Sequence, residues 1–116
     1  MKIFLDDIRN PPDNSWTLVR NFNEFQKLIL QNKGKVNKLS FDHDLGENQP
    51  SGYDATKWLI QEAIDDFDLV KGLQKIIVHT DNIPGGDNIQ GYFQSARSYN
   101  VIPSEVEIIR KPAMLS

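Results

Sequence analysis

Side chains capable of metal or phosphate chemistry follow short apolar runs at four places in the chain. Asp6 and Asp7 follow "KIFL", and Asp42, His43 and Asp44 follow "LSF". His79 and Thr80 follow "IIV", and Lys111 follows "EIIR". Carboxylates crowded together cannot all stay ionised without a cation. Asp6, Asp7 and Asp42 on one rim therefore call for a hard divalent ion, Mg²⁺ or Mn²⁺, bound through oxygen with waters left free for a phosphate. The Thr80 hydroxyl and the Lys111 charge suit a phosphoryl group, and Arg9 adds a guanidinium able to grip one with paired hydrogen bonds. His43 and His79 are the only histidines among 116 residues, and both fall beside these positions. Near pH 7 an imidazole accepts a proton and an imidazolium donates one. Taken singly, each residue is also an ordinary capping acid or a loop or strand histidine; the set at one rim is what points to chemistry.

The intervening segments must bring these residues together. "KIFL" reads as a short strand opening into Asp6-Asp7, and "RNPPDNS" as a breaker loop. "TLVRN" reads as a second strand. "NFNEFQKLILQN" predicts a helix with Phe22, Phe25, Leu28 and Ile29 on one face, a capping box from Asn23 to Gln26, and Gly34 at its end. "NKLSFD" is a third strand. "SGYDATKWLIQEAIDDF" predicts a helix with Ala55, Trp58, Leu59, Glu62 and Ala63 toward the core. "KIIVHT" is the strongest strand, with its β-branched run. "DNIPGGDN" reads as a flexible loop in which Asp87 or Asn88 caps the helix "IQGYFQSARSY", and Gly85-Gly86 is either a hinge or a phosphate-facing turn. "EVEIIR" closes the series. Trp16 and Trp58 are expected as core anchors. Strands alternating with helices predict an α/β fold around a parallel sheet, whose functional groups collect beyond the carboxyl ends of the strands.

The bulk numbers bound the options. A chain of 116 residues with 39% hydrophobic side chains suits one domain, 1–116, with a single modest core. Thirteen basic and 16 acidic residues give a net charge of −3 without a basic run, so steering onto a nucleic-acid backbone has no strong support. A small nucleotide held through a metal remains compatible. Cysteine is absent, which excludes disulfides and thiolate metal sites. No signal peptide or membrane span is legible, and the expected location is the cytoplasm, with no membrane partner.

Order and spacing of these motifs resemble a two-component receiver domain over nearly the whole chain. The acidic pair matches Asp6-Asp7, the phosphoacceptor position matches Asp42, and "DHDLGENQPSG" resembles the stretch from that aspartate to a glycine before the next helix. Thr80 matches the receiver Ser/Thr, and Lys111-Pro112 its Lys-Pro. The resemblance implies a flavodoxin-like, receiver-like five-stranded parallel sheet. It further implies that Asp7 and Asp42 bind the metal directly, Asp6 through water, and the main-chain carbonyl of Asp44 completes the protein ligands.

Two departures sharpen this. Only the Pro-rich loop separates the first two strands and little chain follows Lys111-Pro112, so the first and fifth receiver helices are expected to be missing. Ser40, His79 and Glu107 interrupt apolar strands at alternate positions, consistent with a sheet face that carries little cover. Parallel sheets are normally covered on both faces, so a protein partner, a second copy forming a homodimer, or a ligand is expected there. The second departure is the histidines. "FLDDIRNPP", "SFDHDLG" and "VHTDN" resemble more closely the cyclic-phosphate-processing receiver-like family, matched here by Asp6, Asp7, Arg9, Asp42, His43, Asp44, His79 and Asn82. That resemblance implies action on cyclic or terminal phosphates of nucleotides or RNA ends. A signalling receiver phosphorylated on Asp42 and a non-catalytic interaction module are the alternatives.

Overall fold

A computed structural model describes residues 1–111. Among them, five strands form one parallel sheet in the order β2-β1-β3-β4-β5. The elements are β1 (Lys2–Leu5), β2 (Trp16–Val19), α1 (Phe22–Gln31), β3 (Lys38–Phe41), α2 (Gly52–Asp65), a 3₁₀ turn (Phe67–Leu69), β4 (Lys75–Val78), α3 (Ile83–Ser98) and β5 (Glu107–Arg110). This is the expected receiver-like α/β fold. The β1–β2 connection carries no helix, and among the described residues none follows β5. Pro112 of the expected Lys-Pro pair lies outside the described residues.

The helices follow from topology. Each crosses from one strand to a later one in the same direction along the sheet, and parallel crossovers are right-handed. All three therefore lie on one face. There Ile3, Leu5, Val19, Leu39, Phe41, Ile76, Val78 and Ile108 meet Phe25, Ile29, Leu59, Ala63, Ile89 and Phe93 in a single buried cluster. No helix among the described residues is long and apolar enough to cross a membrane.

The opposite face is ordered in rows by the parallel register. Leu18, Phe4, Ser40, Ile77 and Ile109 stand side by side across the five strands. One step toward the strand N-termini are Trp16, Lys2, Lys38, Lys75 and Glu107. The polar interruptions on this face do not all meet solvent as a bare sheet would require. Glu107 is exposed, but Ser40 is 3% and His79 0% exposed. They are buried because they satisfy one another: Ser40 Oγ lies 2.6 Å from His79 Nδ1, and a buried polar pair so bonded escapes most of its desolvation cost. The His79 ring also stacks on Phe4, with centroids 4.3 Å apart and planes at 10°.

Several local expectations change. The α1 cap is Asn21, whose side chain accepts from Glu24 N at 2.9 Å, while the Glu24 carboxylate accepts from Arg20 N at 2.7 Å; the Asn23–Gln26 box is not formed because Phe22 is already helical. In α2 the buried stripe is Ala55, Thr56, Leu59, Ile60 and Ala63, one position off the predicted face, with Trp58 and Glu62 only half-buried. Trp16 is half-buried as well, meeting the Phe4 edge on the face opposite the helices.

The largest change is at α3. "DNIPGGDN" is not a loop: Asn82 is the N-cap, accepting from Gly85 N at 2.9 Å, and the helix begins at Ile83, before either Asp87 or Asn88. Proline is tolerated in a first turn because its missing N–H has no intrahelical partner to lose.

Candidate metal and phosphate site

The three acids expected on one rim are brought together. Asp6, Asp7 and Asp42 each offer a carboxylate oxygen, and these oxygens all lie within 4.8 Å of one another. β1 and β3 are hydrogen-bonded neighbours, so their carboxyl ends deliver Asp6 and Asp42 side by side. The pairing runs one residue past the strands, with Asp42 N donating to Leu5 O at 2.9 Å.

Asp6 is held on both oxygens. Oδ1 accepts from Ile8 N at 2.9 Å and Arg9 N at 2.8 Å, which folds the post-strand loop back over the rim. Oδ2 accepts from His79 Nε2 at 3.1 Å. A carboxylate can only accept here, so Nε2 carries the proton and Nδ1 accepts from the Ser40 hydroxyl. Burial is the largest influence on Asp6 and pushes its pKa up, but the His79 bond and the two loop N–H groups outweigh it and hold the carboxyl below its ordinary value.

Asp42 shifts the other way. Burial raises its pKa most and the Asp6 charge adds to that, against hydrogen bonds from Thr80 and His43 N. Asp6 and Asp42 side by side repel one another, and a cation between them would relieve that repulsion. Three hard oxygen donors with that repulsion between them fit Mg²⁺ or Mn²⁺ by donor chemistry.

The cation nearest the acids belongs to the protein. Arg9 Nη1 lies 3.6 Å from both Asp6 Oδ2 and Asp42 Oδ2, and its Nη2 donates to Asp81 Oδ2 at 2.9 Å. Arg20, beyond the end of β2, fastens the same loop by donating to the Asp6 and Arg9 carbonyls at 3.2 and 2.8 Å and to Asn10 Oδ1 at 2.9 Å. Sequence reasoning passed over Asp81 and Arg20. Asp81 stood next to Thr80 at a strand end; Arg20 carried no signal beyond following a short strand.

Asp7, Arg9, Asp42, Asp44, Thr80, Asp81 and Asn82, with Ile8 and Gly46, enclose an open pocket of about 310 Å³. Lys111 is not among them. Its N–H extends the β4–β5 pairing to Val78 O at 2.9 Å, and its exposed side chain lines an adjoining depression instead.

The two histidines are not equivalent. His79 is fully buried and reaches the rim only through Asp6. Of the two imidazoles expected to exchange protons at the rim, His79 therefore lies behind a carboxylate. His43 is partly exposed, with Nδ1 2.9 Å from Asp44 Oδ1. That contact favours the Nδ1–H tautomer and leaves Nε2 to accept a proton. Asn82 Nδ2 donates to the same Asp44 carboxylate at 3.2 Å.

Glycines make room for this arrangement. A Cβ on Gly52 would fall 1.8 Å from Asp42 O, so only glycine lets α2 start against the end of β3. A Cβ on Gly85 would fall 2.4 Å from the His43 ring, and one on Gly86 2.5 Å from Arg110 Nη2. Gly85-Gly86 is thus neither hinge nor phosphate turn but the surface on which two side chains lie.

No curated protein and no solved structure matches this chain. A family model does, over residues 1–95, a span that takes in the acid cluster, both histidines and every residue lining the first pocket. Its description is Cyclic-phosphate processing Receiver domain, and the chain belongs to that family.

Proposed function

We propose that this domain processes cyclic or terminal phosphates of nucleotides or RNA ends with a divalent metal, Mg²⁺ or Mn²⁺. The observation that carries the reading is the Asp6–Asp7–Asp42 cluster, with oxygens within 4.8 Å of one another, two of whose members, Asp7 and Asp42, line an open pocket. Asp7 and Asp42 are assigned as direct ligands, Asp6 as a ligand through water, and the Asp44 carbonyl as the remaining protein donor. The bound metal would polarise the phosphoryl oxygens and offset their charge.

The chain's own residues supply the rest. Arg9, already spanning Asp6, Asp42 and Asp81, is positioned to turn onto a phosphate, where a guanidinium binds two oxygens at once. Thr80 and Asn82 offer a hydroxyl and an amide on the same wall. His43, whose Nδ1 is oriented by Asp44 and whose ring lies against Gly85 rather than among the lining residues, is assigned as the proton carrier at Nε2. His79 is a positioning residue: it fixes the Asp6 carboxylate from below, as outer hydrogen-bond partners do for metal ligands.

The test is incubation with Mg²⁺ and a 2′,3′-cyclic nucleotide or cyclic-ended RNA, beside Asp42→Asn and His43→Ala. Hydrolysis by the wild type that both substitutions abolish is the expected result. Treatment with acetyl phosphate runs in parallel. An acid-labile phosphate that needs Asp42 but not His43, without hydrolysis, would replace this reading with a phosphorylated signalling receiver.

A further inference from the structure

A second depression of about 380 Å³ adjoins the acid pocket and shares two wall residues with it, Thr80 and Asp81. Among the described residues, the others that line it are Ile83, Arg110 and Lys111. A phosphate seated over the acids must direct its organic remainder somewhere, and this is the concavity that continues the same wall.

Its chemistry differs from that of the acid pocket. Ile83, the first residue of α3, is 68% exposed and presents an aliphatic surface to the depression. Arg110, the last residue of β5, does not sweep freely through solvent. Its Nη1 donates to Asp87 Oδ1 at 2.7 Å, and its guanidinium lies so close to α3 that a Cβ on Gly86 would come within 2.5 Å of Nη2 and 2.7 Å of Cζ. The Asp87 contact offsets its charge and the Gly86 contact fixes its position. What remains is a flat, oriented plate beside an exposed aliphatic side chain, a combination that stacks on planar rings. Lys111 adds a positive rim suited to a ligand that also carries phosphate.

We infer that this depression is a nucleobase subsite, holding the base of the nucleotide whose phosphate occupies the acid pocket between Ile83 and the Arg110 guanidinium. It rests on the phosphate-processing reading, but its own binding energy comes from stacking and needs no metal. Ile83 and Arg110 are thereby specificity residues for base-bearing over base-free phosphates.

The experiment follows the Ile83 δ1 methyl by NMR in the full chain. Ile64, exposed in a groove between α2 and α3 away from the acids, is the internal control. Adenosine, which has no phosphate, is added without metal; adenosine 2′,3′-cyclic phosphate is added with Mg²⁺. The expected result is a saturable shift of Ile83 and not Ile64 with both probes. Ile83→Ser should weaken cyclic-nucleotide binding about tenfold, the lower end of what one base stack contributes, while inorganic phosphate binds as before. Ile83→Ser changes an exposed position outside the acid pocket. Cyclic nucleotide bound with Ile83 unmoved and Ile83→Ser unaffected would overturn the subsite and spare the phosphate reading. Adenosine moving Ile83 with no gain from the cyclic phosphate would keep the subsite and overturn the phosphate reading. Equal movement of Ile83 and Ile64, or of neither, overturns the subsite.

Discussion

The two faces of this sheet are built on the same strands but bury different chemistry. Under the helices, Ile3, Leu5, Leu39, Phe41, Ile76 and Val78 form a wholly apolar layer. Such packing depends on volume and shape, and it is indifferent to the charge at the rim. On the other face, Phe4 and Ile77 alternate with Ser40 and His79, all less than 10% exposed. There the buried polar groups form a chain, Ser40 to His79 to Asp6, that ends in the acid cluster. The difference teaches that stability and site geometry are assigned to opposite sides of one layer of strands. The helix-covered face holds the strands in register, and the other face reaches up between them to fix one carboxylate.

That contrast can be broken by substitution, the largest effect on stability coming first. Phe41→Ala opens a cavity in the apolar layer, where Phe41 is 0% exposed between Phe25 and Phe93. The expected cost is about 3–5 kcal/mol, read by denaturant unfolding. Under conditions where the variant is folded, its metal affinity should be that of the wild type. A loss of metal binding as large as that of Asp42→Asn would show that the two faces are not separable.

His79→Ala strikes the other face. It strands the Ser40 hydroxyl and the Asp6 carboxylate and removes the Phe4 stack, for an expected cost of about 2–3 kcal/mol. Unlike Phe41→Ala it should also lower Mg²⁺ or Mn²⁺ affinity, by about tenfold, measured by calorimetric titration. A His79→Ala protein that binds metal as the wild type does would reduce His79 to a core residue.

Asp42→Asn should act in the opposite sense on the metal-free protein. The Asp42 pKa is raised in the fold, so its ionisation costs stability. That cost is absent below the ordinary carboxylate pKa of about 3.9 and grows as pH rises through the raised folded value. Removing the charge should raise the melting temperature of the metal-free protein at pH 7. It should also abolish metal binding. Asp6 has the reverse sign: its lowered pKa contributes stability above the ordinary carboxylate range, lost as pH falls through the folded value. Stability profiles of wild type and Asp42→Asn should therefore diverge upward from pH 4, and added Mg²⁺ should raise only the wild-type profile. Parallel profiles would contradict the assigned repulsion.

Ser40→Ala is the finest probe. It removes one hydrogen bond from His79 Nδ1 while leaving the Asp6 contact, and should cost about 0.5–1.5 kcal/mol with metal affinity within about threefold of wild type. An effect on metal affinity equal to that of His79→Ala would mean the whole chain of bonds, not the imidazole, orients Asp6.

How much of this was legible depended on the range of each interaction. The five strands, the three helices and the arrival of Asp6, Asp7 and Asp42 at one rim followed from local periodicity and breakers, because a parallel sheet puts every strand's carboxyl end on one side. The α3 start was misread because Pro84, Gly85 and Gly86 carry strong loop propensity. Asn82 at the cap and the pressure of His43 and Arg110 against those glycines override it, and both packed residues come from other elements.

The amino-acid sequence by itself determined the α/β class, the helix-free first connection and the acid cluster, since each rests on patterns within a few residues repeated along strands. Only the tertiary structure decided which charges meet. Arg9 rather than Lys111 faces the carboxylates, His79 lies under Asp6 across 73 residues, and Asp81 holds the far side of Arg9. A side chain's partner depends on the cavity into which its strand end opens, and that cavity exists only once segments distant along the chain have packed together.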